Sequence, residues 1–160
     1  MDTKRLIAEL EFDSADPQVL VDWAVGQLLR GRDSRSLALL AGLMDPDRDE
    51  AEGLFRTSIG ELGIATPGQS ELRRYLVSCV AKDILQGQLD PREGCRRIHE
   101  VHVRAGRPMS EDESRMSNLF DSLQDPAHYG MTVRELRQEI VDTAALLDSR
   151  AGDGVSGHPN

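Results

Sequence analysis

Eight consecutive residues, Leu37 to Met44 (LALLAGLM), carry no polar side chain. A helix with no polar face has no side to give to water, so the run predicts a buried central helix, with Leu37, Leu40, Ala41 and Met44 nearly inaccessible. The competing reading is a docking surface, exposed until a partner covers it. In either case the run needs neighbours, and the chain supplies them. The stretch Leu28 to Met44 joins the end of one apolar helix to the run through a Gly31-Arg32-Asp33 turn.

The remaining chain reads as helices separated by turn residues. Leu6, Ile7 and Leu10 predict a short helix from Thr3 to Glu11, capped by Asp2. Asp16-Pro17 pairs an N-cap with proline at the first helical position and opens a largely buried helix to Arg30, which Gly31 stops. Asp45-Pro46 ends the apolar run and opens a helix to Gly63, whose crowded acids Asp47, Asp49, Glu50 and Glu52 suit the positive end of its dipole. Thr66-Pro67 starts a helix to about Gln86, and Asp90-Pro91 one to about Ala105. Ser110 with Glu113, and Thr132 with Glu135, have the spacing of capping boxes and open the last two helices. No run of β-branched residues alternates with polar ones as a strand would. The fold class expected is therefore all-α, about eight helices in one compact bundle over residues 1–150, with residues 151–160 (AGDGVSGHPN) a flexible tail. An echo between Leu28-Leu29-Arg30-Gly31 and Ile84-Leu85-Gln86-Gly87 allows two stacked helical hairpins.

A chain of 160 residues can bury a core without staples, and with 4% aromatics that core must be aliphatic. Cys79 and Cys95 lack CxxC spacing and read as reduced thiols. The first residues hold no apolar run of signal-peptide length, and no stretch approaches the ~20 residues of a membrane span. A cytoplasmic protein without membrane contact is expected. The formal charge of -9 argues against general nucleic-acid binding, which needs an electropositive face. Its distribution is uneven, at -7 over residues 1–71, +4 over 72–107 and -6 over 108–160.

The segments WAVGQLL-RG-RDSRSLALLAGL, LFRTSIGELGI and DILQGQLDPREGCRRI, roughly residues 17–105, resemble a group of small helical bacterial proteins. These share the patterns "L..G.DS..L..LAGL" and "I..G...P..G...I". The resemblance implies a bacterial helical domain, some of whose look-alikes are immunity-type or partner-binding proteins. It carries over no functional residues.

Four groups of residues bear on chemistry. Cys95, His99 and His102 fall within about 60° of arc on one helix and could converge on a metal ion. The same positions also belong to that helix's apolar stripe. His99-Glu100-Val101-His102 is one residue short of the zinc-protease spacing. Arg73, Arg74, Arg92, Arg96, Arg97 and Arg104 could present a cationic face to phosphate or an acidic partner, or could balance neighbouring carboxylates. His128 and Tyr129 sit in a loop, where polar and aromatic groups tend to make contacts. Glu111, Asp112 and Glu113 are expected on the solvent side, so that replacing Glu113 or Asp49 would cost no more than ~1 kcal/mol. No nucleophile elbow, P-loop or dinucleotide motif is present, and no cofactor is implied. The function expected is non-enzymatic binding of another protein, in an immunity-type or regulatory role. The alternatives are a metal protein or enzyme built on Cys95, His99 and His102, and weak nucleic-acid or phosphate binding by the arginines.

Overall fold

The computed structural model describes residues 2–12, 15–106, 110–126 and 130–153, with side chains of the last helix to residue 149. The described residues form eight helices and no strand: α1 (Thr3–Phe12), α2 (Pro17–Leu29), α3 (Arg35–Ala41), α4 (Arg48–Glu61), α5 (Gln69–Leu85), α6 (Pro91–Ala105), α7 (Glu111–Ser122) and α8 (Val133–Asp153). The fold is all-α. The helices pack as two compact units, residues 1–68 and 69–160. Residues 154–160, most of the expected tail, lie outside the described residues, while α8 continues through Asp153.

Helix starts follow the capping chemistry written in the sequence. Asp16 accepts from the Gln18 N–H at 2.9 Å with Pro17 behind it, and Asp90 accepts from Arg92 at 2.9 Å ahead of Pro91. Asp47 accepts from Asp49 and Glu50, so α4 opens at Arg48, not at Pro46. Both capping boxes form. Glu113 reaches back to the Ser110 N–H at 2.7 Å, and Glu135 to that of Thr132 at 2.7 Å. The echo between residues 28–31 and 84–87 has a local cause. Gly31 and Gly87 both take positive φ, and the N–H after each bonds back to the carbonyl five residues earlier, Arg32 to Gln27 and Gln88 to Asp83. This is the left-handed glycine terminus that unwinds a helix end without leaving carbonyls bare.

In the first unit α2, α3 and α4 pack on one another. Trp23 meets Phe55 edge-on with centroids 4.7 Å apart, and its indole N–H donates to Thr3 Oγ1 at 3.0 Å, tying α1 to α2. The Glu61 carboxylate at the end of α4 accepts from the Ser36 N–H and hydroxyl, both at 3.0 Å, and so caps α3 from a neighbouring helix. These bonds, with one from the Ser34 hydroxyl foremost, hold the Glu61 carboxyl below its usual range.

The apolar run is not wholly buried, contrary to expectation. Leu37 and Leu40 are completely buried, but Leu39 is 53% exposed and Met44 97% exposed. Ala41 is half-buried. The helix itself stops at Ala41, capped by Gly42, so Leu43 and Met44 lie in the following loop. Its two packing neighbours cover one side only. Arg35, Ala38, Leu39 and Gly42, spaced i, i+3, i+4, i+7, form its outward stripe. The end of α2 is likewise open, with Leu29 83% exposed.

In the second unit α5 packs on α6 and α8, and α7 on α6 and α8. Leu76, Val80, Ile98, Met116, Leu136 and Ile140 are buried in this unit. The α5–α6 crossing is close at Gly94. A Cβ built there would lie 2.5 Å from Ile84 Cγ1 and closer still to Ile84 Cδ1. Alanine is ordinarily about 1 kcal/mol better than glycine in a helix interior. Here steric overlap outweighs that gain, and Gly94→Ala is expected to destabilise by about 1–3 kcal/mol. Gly53, inside α4 with open space at its Cβ, should show the opposite sign, Gly53→Ala gaining roughly 0.5–1 kcal/mol. Urea unfolding of the two variants checks both signs.

Candidate functional site

The α6–α7 seam gathers the residues that sequence alone makes the best chemical candidates. Cys95 is completely buried and its Sγ donates to the Met116 carbonyl at 3.0 Å. Burial, with a smaller push from the Asp121 charge, drives its thiol pKa up to about 12. At neutral pH it is a packed thiol, not the thiolate that binds metal or attacks carbon. His99 Nδ1 lies 2.7 Å from Ser117 Oγ, and its ring rests on Phe120 with centroids 4.8 Å apart. His102 instead lines a narrow cleft with Arg73, Val77, Ile98, Val101 and Glu113, and its Nδ1 is buried without a hydrogen-bond partner. The three side chains thus serve three different contacts. Among the described residues no three His, Cys, Asp or Glu side chains are placed to hold a metal ion.

Of the three carboxylates at the start of α7, Glu111 is on the solvent side as expected, and the other two are not. Asp112 and Glu113 are both buried, Glu113 to 6% exposure. Glu113 accepts the capping bond from Ser110 and also faces the Arg73 guanidinium of α5 at 3.6 Å. The capping-box spacing foretold the first partner. The second lies forty positions away in sequence, beyond the reach of any local pattern. Ser117 and Glu61, each holding a group of another helix, likewise left no signal in the sequence.

Three of the six arginines, Arg73, Arg96 and Arg97, meet carboxylates. Arg96 pairs with Glu93 at 2.6 Å and with Glu100, and Arg97 reaches Glu93 at 3.2 Å. The Arg96 hydrogen bond, aided by Arg97, holds the Glu93 carboxyl down to about 2 from its ordinary 4.5. Arg74 and Arg92 are exposed. Internal charge balance therefore accounts for Arg73, Arg96 and Arg97. Because the folded pKa of Glu93 is depressed, its stabilisation is complete above its ordinary pKa and fades as pH falls toward 2. The stability difference between wild type and Glu93→Gln should be small, no more than ~1 kcal/mol at pH 7 for so exposed a cluster, and should shrink below pH 4.5. Denaturant titrations at pH 7, 4 and 2.5 measure it. A difference that does not change with pH would show that the pairing contributes nothing.

His128 and Tyr129 lie outside the described residues. Two open hollows flank α7. One of about 510 Å³ includes Arg115 and Glu139, which pair with each other. The other, of about 250 Å³, includes Asp90 and Arg96, whose charges meet Arg137 and Glu93. Neither brings together a nucleophile, a base and an oxyanion donor.

Exposed large apolar side chains occur in both units, Val25, Leu29, Leu39 and Met44 in the first and Leu85, Val103, Val133 and Leu146 in the second, and those of the first cluster in sequence about α3. Leu39, Met44 at its far end and Leu29 at its near end are exposed apolar side chains within a span of sixteen residues. Arg30, Arg32 and Arg35 are exposed at the near end. No helix among the described residues is long and apolar enough to cross a membrane. No family model, curated protein or solved structure matches this chain.

Proposed function

We propose that this chain is a cytoplasmic, non-enzymatic protein-interaction factor whose contact face is the outward side of α3. The observation that carries the reading is the exposure of Leu39 on α3, with Leu29 at the end of α2 and Met44 in the loop after α3 also exposed, while the other side of α3 is buried. Isolated exposed leucines are ordinary, but several around one short helix mark a surface for association. The seam between α6 and α7 supports the same reading from the other direction, since its thiol and imidazoles are engaged in packing, hydrogen bonding and a closed cleft. The test is a photo-crosslinking amino acid placed at position 39 and, as a control, at exposed Thr57 of α4. Irradiation in the source cell should yield a discrete adduct from position 39 and none from position 57. Equal labelling from both, or none from position 39, would contradict the proposal.

A further inference from the structure

The exposed segments on either side of α3 carry opposite charge, and that pattern selects an occupant for its outward face. Before the helix, residues 30–35 carry Arg30, Arg32, Asp33 and Arg35, a net +2 that the Glu61 carboxylate on Ser36 reduces to +1, and after it residues 45–50 carry Asp45, Asp47, Arg48, Asp49 and Glu50, a net -3. Between them lie Ala38, Leu39 and Gly42, with Met44 projecting beside the acidic end. Seven helical residues rise only about 10 Å, so α3 itself sets a short spacer between the two charged segments. None of Arg30, Arg32 or Asp45 has an ion-pair partner among the described residues.

An apolar centre with a positive end and a negative end is complementary to its own image turned through 180°. We infer that this face binds a second copy of the chain about a two-fold axis, with the two α3 helices antiparallel and each basic end against its partner's acidic end. Such isologous contacts are the commonest form of homo-oligomer, because one patch serves both sides. A parallel arrangement would set arginine against arginine. The small side chains of Ala38 and Gly42 let the helices approach while Leu39 packs across the axis. The inference rests on the proposal that this face is a contact surface, and it names the partner.

A patch built on one short helix belongs at the small end of interface sizes, so association should be weak and concentration-dependent, with a dissociation constant on the order of 10–100 μM. Sedimentation equilibrium of the full chain should give a mass rising toward twice 17.7 kDa with concentration. Leu39→Glu should sediment as a monomer with an unchanged circular-dichroism spectrum. The charge pattern provides a sharper test. Arg30→Asp/Arg32→Asp makes both ends acidic, and Asp45→Arg/Asp49→Arg makes both ends basic. Each double variant alone should be monomeric, and an equimolar mixture of the two should dimerise at least as well as wild type. A wild-type chain that stays monomeric up to roughly 500 μM, or a mixture that does not associate, overturns the inference. If crosslinking at position 39 meanwhile captures a different protein, the contact-surface reading stands and only the choice of partner fails.

Discussion

Glu113→Ala is expected to lower stability by roughly 1–3 kcal/mol, the cost of removing a buried hydrogen-bonding carboxylate. The carboxylate is 6% exposed, faces Arg73 at 3.6 Å and closes the capping box on Ser110 at 2.7 Å. Its removal therefore affects a guanidinium and a helix N-terminus together. Glu113→Gln keeps an acceptor for the Ser110 N–H while discarding the charge, and should recover about 1 kcal/mol, the usual worth of a cap. Asp49→Ala provides the contrast. Asp49 also sits in a first turn, but exposed, and its loss should cost no more than ~1 kcal/mol. Urea unfolding at pH 7 measures all three. Equal small losses for Glu113→Ala and Asp49→Ala would mean that the Arg73 pairing adds nothing to the helix-terminus effect.

Leu40→Ala should cost ~2–5 kcal/mol, from lost burial and an incompletely refilled cavity. Leu40 is completely buried on the side of α3 that packs against α2 and α4. The chain's single tryptophan, Trp23, lies in that same unit against Phe55, so its fluorescence follows the transition of interest directly. Leu39→Ala, one residue away, should leave the stability within about 0.5 kcal/mol of wild type, as surface substitutions do. A Leu40→Ala loss below ~1 kcal/mol would mean that α3 is not part of the core at all.

Four helix starts were legible in the sequence because their chemistry is local, whereas Asp45-Pro46 and Thr66-Pro67 are not starts, α4 opening at Arg48 and α5 at Gln69. Asp16-Pro17, Asp90-Pro91, Ser110 with Glu113, and Thr132 with Glu135 each settle within four residues which backbone groups find partners. The glycine turns at Gly31 and Gly87 were legible for the same reason. Orientation was not. Where every residue from Leu37 to Met44 is apolar, periodicity cannot say which side faces inward, and that depends on how few helices surround α3. The polar contacts between helices were equally hidden, because Arg73 with Glu113, His99 with Ser117 and Glu61 with Ser36 join positions 18 to 40 residues apart. For the candidate site, the residue types were visible, but a helical wheel alone suggested that Cys95, His99 and His102 converge. The wheel places side chains on one arc without saying what the next helix presents to each of them. Met116, Ser117 and Glu113, on α7, make that difference.

The most direct test of the central claim, that α3 is core on one side and contact surface on the other, is a pair of thermal melts. Leu39→Glu should fold with its far-ultraviolet spectrum and melting temperature unchanged apart from the loss of any self-association, because position 39 already faces water. Leu40→Glu places a charge in the apolar interior of the first unit and should fail to fold or melt far below wild type. If Leu39→Glu unfolds as Leu40→Glu does, the apolar run is core on all sides and the proposed contact surface does not exist.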